Sequence, residues 1–144
     1  MSLFGSGRTV ADVAVDMTVE CVDDRGSRHQ LDVVLGYRRN DPYAVSMTFL
    51  TGTGDLTWTF GRDLLINGVN LPTGQGDVHV APSIGSNGRA VVHIELSSPD
   101  GHLVLQSRAE DVHEFLHRSA DVVPFGEEFD HIDVDLLITQ LLDA

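Results

Sequence analysis

From Val13 the chain alternates apolar and polar side chains. Val13, Val15, Met17, Val19 and Cys21 fall on one side and Asp16, Thr18 and Glu20 on the other. A period of two over this length predicts a half-buried strand. Asp23-Asp24-Arg25-Gly26-Ser27 reads as a turn, and Leu31, Val33, Leu35 and Tyr37 resume the alternation in a second strand. After Arg39-Asn40-Asp41-Pro42, Val45, Met47 and Phe49 form a third strand. Gly52-Thr53-Gly54-Asp55 turns the chain into a fourth, with Leu56, Trp58 and Phe60. Turns this short predict an antiparallel meander.

The period then changes. Arg62-Asp63-Leu64-Leu65-Ile66 predicts a short helix stopped at Gly68, and Leu71 to Gly76 reads as a Gly/Pro-rich link. Three further strands are marked by Val78 and Val80, by Ala90 to Leu96, and by Leu103 and Leu105. Val112, Phe115, Leu116 and Ser119 then share one face of a helix. Val134, Leu137, Ile138 and Leu141 share one face of a last helix, which Leu136 and Leu142 widen. The expected architecture is α+β, with antiparallel strands in the order ββββ-α-βββ-αα. Each half is a meander followed by a helix, although the two halves do not match in sequence. Residues 1–11 read as a flexible tail and 12–144 as one domain.

Charge narrows the choice of partner. Nine Arg, no Lys, sixteen Asp and six Glu give a net charge of −13. A field of that sign repels phosphate backbones and anionic lipid, so nucleic-acid binding is not expected and any membrane association should be indirect. A continuous stripe of Arg25, Arg28, Arg38 and Arg39 on one sheet face would reverse that reading and favour a single-stranded nucleic-acid-binding protein. Cys21 is the one cysteine, so no internal disulfide can form. No apolar run approaches the ~20 residues that cross a bilayer, and no signal peptide is evident at the N-terminus. A cytoplasmic protein is expected.

Motifs for chemistry are sparse. His113-Glu114-Phe115-Leu116-His117 fits H-E-x-x-H, which on a helix sets two imidazoles on one face with a Glu between them. A zinc site would need a third ligand from Glu127, Glu128, His131 or Asp133. His113 and His117 instead flank the apolar stripe, as on a solvated helix edge, so they stand as metal candidates only for an alternative, zinc-binding reading. The acidic group Glu127, Glu128, Asp130, Asp133 and Asp135 sits where the last helix should begin, where carboxylates cap amides. Gly52-Thr53-Gly54 and Gly74-Gln75-Gly76 lack the context of phosphate cradles. No catalytic residue and no cofactor are expected.

An ordered set of short motifs remains. It runs through Asp41-Pro42-Tyr43-Ala44-Val45, Trp58-Thr59-Phe60, Arg62-Asp63-Leu64-Leu65, Pro72-Thr73-Gly74-Gln75-Gly76-Asp77-Val78 and Pro82-Ser83. It continues with Leu96-Ser97-Ser98-Pro99, Gly101, Phe115-Leu116, Arg118, Val123-Pro124, Gly126, Asp133 and Asp135. In this order and spacing the chain resembles the SsgA-like family of actinobacterial sporulation and cell-division proteins, and within it the SsgB type. The resemblance covers about residues 13–142. It implies a fold similar to the whirly type, no catalysis, and a non-enzymatic adaptor that helps position or recruit the FtsZ division ring at septum sites. The partners it implies are FtsZ, an SsgA-type paralogue and further copies of the chain, with a trimer favoured. The protein would be cytoplasmic and recruited to the division septum.

Two groups of residues are candidates for these contacts. Arg62, Asp63 and the loop containing Pro72, Thr73, Gly74 and Asp77 are expected to be exposed and to meet a partner. Leu136, Leu137, Leu141 and Leu142 exceed what a small domain can cover and are the expected oligomer interface.

Overall fold

The computed structural model describes residues 11–23 and 25–143. Most of the tail expected at 1–11 lies outside these residues. Strands β1 (Val13–Val22), β2 (Arg28–Arg38), β3 (Asp41–Leu50) and β4 (Leu56–Gly61) form the first meander, followed by helix α1 (Arg62–Gly68). Strands β5 (Thr73–Gln75), β6 (Val78–Ile84), β7 (Ala90–Ser98) and β8 (Gly101–Arg108) form the second, followed by α2 (Ala109–Val122). A short 3-10 helix (Glu128–His131) and α3 (Val134–Leu142) complete the chain.

The strands make one antiparallel sheet in the order β4-β3-β2-β1-β8-β7-β6-β5. The seven strands and the helices expected from the sequence are present, and β5 is added to them. Its three residues carry no apolar alternation. They pair with Val78–Val80 across a two-residue loop, Gly76-Asp77. Gly76 takes φ +60, the left-handed region that a glycine enters without penalty.

Period-two alternation becomes a buried face. Val13, Val15, Met17, Val19 and Cys21 of β1 are buried, with Asp16 and Thr18 exposed opposite. The same face of the other strands contributes Val33, Leu35, Val45, Met47, Val80, Ile94 and Leu105. Helix α2 covers β1, β7 and β8 with Val112, Phe115, Leu116 and Ser119, all buried. Each fully buried Val, Leu or Phe side chain contributes roughly 1.5–3 kcal/mol over its exposed state. Helix α1 lies against β3 to β6, and it approaches so closely that a Cβ on Gly68 would fall 2.4 Å from Val80 Cβ. The ends of the sheet also meet, since a Cβ on Gly61 of β4 would lie 3.1 Å from Gln75 Oε1 of β5. Cys21 is buried, and burial, with the nearby Asp23 charge, pushes its thiol up.

Candidate functional site

Arg62 opens α1, where a positive charge opposes the helix dipole. The structure corrects the expectation that it is exposed. Its side chain is 1% accessible and is the largest fully buried one among the described residues. Nη2 donates to Glu128 Oε2 at 2.7 Å, and Nη1 donates to the carbonyl of Val123 at 2.7 Å. Nη1 also reaches the carbonyl and hydroxyl oxygens of Ser119, both at 3.3 Å. The guanidinium lies between two rings, 4.6 Å from the centre of Tyr37 and 4.7 Å from that of Phe125.

The neighbours of Arg62 are fixed in turn. Glu128 accepts from the Gly126 backbone N–H at 2.9 Å through Oε1. Burial raises the Glu128 carboxyl, but the hydrogen bonds and charge of Arg62, with backbone N–H groups, outweigh it and hold the group below the ordinary glutamate value. Tyr37 donates its hydroxyl to the Pro42 carbonyl at 2.9 Å, and desolvation pushes its phenol up to about 12. A side chain expected to face a partner therefore anchors the segment after α2 to the body of the protein. Nothing local in the sequence marks Arg62 for burial, because its hydrogen-bond partners lie 57 to 66 residues away. Nothing in the sequence singles out Glu128 among five nearby carboxylates, and the expectation that it caps the last helix is corrected. Asp133 does cap α3, accepting from the Leu136 N–H at 2.9 Å.

The remaining partner candidates are Asp63 on α1 and residues of the Pro72–Asp77 stretch. Asp63, Pro72, Gly74 and Asp77 are exposed and Thr73 is half-buried. Helix α1, which carries Asp63, contacts β5 within the Pro72–Asp77 stretch. Gly74 lies against His79 of β6, where a Cβ would sit 2.3 Å from the ring.

Helix α3 has no buried residue. Val134, Leu136, Leu137, Ile138, Leu141 and Leu142 are 41–79% exposed. The aromatic side chains of Phe125 and Phe129, which lead toward it, are exposed as well. The helix is thus capped and formed, yet its apolar surface is uncovered.

His113 and His117 are exposed on α2, and Glu114 between them pairs with Arg118 at 3.7 Å. No group of three or more His, Cys, Asp or Glu able to hold a metal forms among the described residues. The four arginines whose continuous stripe would have favoured nucleic-acid binding divide between the two ends of β2. Arg25 and Arg28 lie at one end and Arg38 and Arg39 at the other, about 33 Å apart at strand rise. No helix among the described residues is long and apolar enough to cross a membrane.

Residues 31–128 match the family model described as the Streptomyces sporulation and cell division protein SsgA. The chain is similar to the sporulation-specific cell division protein SsgB of Kineococcus radiotolerans, 40% identical over 91% of this chain and 80% of that one. It is 46% identical to SsgB of Streptomyces coelicolor over 75% of this chain and 79% of that one. A crystal structure of an SsgA-like sporulation-specific cell division protein from Thermobifida fusca superposes with a TM-score of 0.80 at 33% identity. It covers 89% of this chain and 93% of that one. A second solved structure, described with SsgB mutations that correlate with longitudinal cell division during sporulation of Streptomyces coelicolor, gives a TM-score of 0.76 at 38% identity. It covers 85% and 98% of the two chains.

Proposed function

The chain belongs to the SsgA family of sporulation and cell division proteins, and from that premise we propose that it is a non-enzymatic adaptor that joins copies of itself and the FtsZ division ring at septum sites. The observation that carries this reading is α3, nine residues long with six large apolar side chains at least 41% exposed. An apolar surface of that kind marks an interaction site. The self-association face is Leu136, Leu137, Leu141 and Leu142, and a trimer is the favoured assembly. Asp63, Pro72, Thr73, Gly74 and Asp77 form the partner-facing surface. Arg62, buried at the start of α1 beside Asp63, holds the segment after α2 in place. The protein works in the cytoplasm, is recruited to the septum, and meets the membrane only through its partners, FtsZ and an SsgA-type paralogue.

Co-sedimentation with GTP-assembled FtsZ polymers tests the adaptor reading. The chain is expected in the polymer pellet, and Asp63→Ala with Asp77→Ala should release it without changing Tm. A chain that stays in the supernatant at every FtsZ concentration would count against direct recruitment.

A further inference from the structure

The two meanders are stitched together by three residue pairs, Glu20–Gln106, Cys21–Leu105 and Val22–Val104. Strand β1 runs on to Val13 with β2 along one side. Along its other side Val13–Val19 has no strand partner among the described residues. Strand β8 diverges there, staying with β7 through Arg108 before it becomes α2. A cleft of about 940 Å³ opens between them. Asp16, Thr18 and Glu20 line it from β1, and Arg89, Ser107 and Arg108 from the opposite side. Helix α2 packs beneath β1 and β7 and closes the core side. Across the floor the Ser107 hydroxyl approaches Met17 Sδ at 3.5 Å.

A strand edge without a neighbour presents a row of N–H and C=O groups, and what matches such a row is another extended backbone. The charges lining the cleft define that backbone further. Glu20 is paired with Arg28, and Arg108 with Glu110 and Asp111. Asp16 on β1 and Arg89 before β7 have no ion-pair partner among the described residues. We infer that the cleft docks an extended segment of a partner protein, which adds to the free edge of β1, in the cleft at Asp16–Val19 and onward toward Val13, sets a basic side chain against Asp16 and offers an acidic one to Arg89. Side chains of the added strand alternate between these polar walls and the floor at Met17 and Ser107, where small apolar ones fit. The inference deepens the adaptor reading in the kind of partner it names. Its test does not involve FtsZ, so either can fail alone.

The probe is a phage-displayed library of random ten-residue peptides panned on the full chain, with the best binder resynthesised. Enriched peptides are expected to alternate and to carry one basic and one acidic position. Binding should slow hydrogen exchange of those Val13–Val19 amides that face away from β2. N-methylation of alternate peptide amides should weaken binding about tenfold or more, because several backbone hydrogen bonds are lost together. Asp16→Arg should weaken it roughly two- to fivefold, and an acidic residue at the peptide's basic position should restore it. An unenriched library, binders indifferent to N-methylation, or protection of another surface would each overturn the inference. So would concentration-dependent protection of the same amides in the free protein, which would place a second copy in the cleft.

Discussion

Arg62 and Glu128, 66 residues apart in the chain, meet in a buried ion pair with Nη2 donating to Oε2 at 2.7 Å. The pair joins the first residue of α1 to the 3-10 helix that precedes α3. A buried charge is tolerable only when its partners are in place. Here the partners are Glu128, two backbone carbonyls, a hydroxyl and two aromatic faces, so the segment that links α2 to the 3-10 helix has one defined seat.

Removing one side of that pair leaves the other charged and buried. Arg62→Ala should cost about 3–5 kcal/mol, a fall in Tm of roughly 10 °C. Arg62→Lys should recover little, because one ammonium cannot reach Val123 and Glu128 with the same fork. Urea unfolding of the three proteins checks this. Near-equal midpoints would mean that the pair contributes nothing.

The same pair sets an acid limit. The Glu128 carboxyl is held below its ordinary value of 4.5 in the folded protein. A depressed folded value contributes stability that is present above the unfolded value and lost as pH falls through the folded one. The stability difference between the wild type and Glu128→Gln should therefore be constant above about pH 5 and shrink below 4.5. Denaturant midpoints measured across that range read it directly. A difference that grows toward low pH would reverse the assigned direction.

Helix α1 has no room above Val80. Gly68→Ala places a methyl 2.4 Å from Val80 Cβ, so the helix or β6 must shift. Overpacking of this kind costs about 1–3 kcal/mol. Val80→Ala should relieve part of that cost in the double variant, which a double-mutant cycle measures as coupling.

Much of this fold was legible because β1 to β4 and α2 bury one face against water on the other, and local periodicity records that. What escaped depended on contacts distant in sequence. Thr73-Gly74-Gln75 has no strand pattern of its own and becomes β5 only by pairing with β6, which completes a repeat of four strands and a helix in each half. Arg62 resembles any surface arginine until Ser119, Val123 and Glu128 are folded around it. The excess apolar width of α3 was readable, whereas its lack of any buried residue depends on where the chain leaves Glu128. The cleft at Asp16 was invisible, since it arises from divergence between strands 80 or more residues apart.

Because α3 is uncovered, its leucines can be changed without disturbing the core. Leu137→Glu with Leu141→Glu puts two charges on one helical face and should leave monomer stability within about 0.5 kcal/mol. It should abolish self-association as judged by sedimentation velocity. Retained assembly with an unchanged fold would move the interface elsewhere.

The most direct test of the adaptor account is size-exclusion chromatography with multi-angle light scattering, on the purified chain alone and mixed with FtsZ. The account predicts a homo-oligomer near three times 15.7 kDa that co-elutes with FtsZ or changes its assembly. A strict monomer whose elution and mass are indifferent to FtsZ would contradict it.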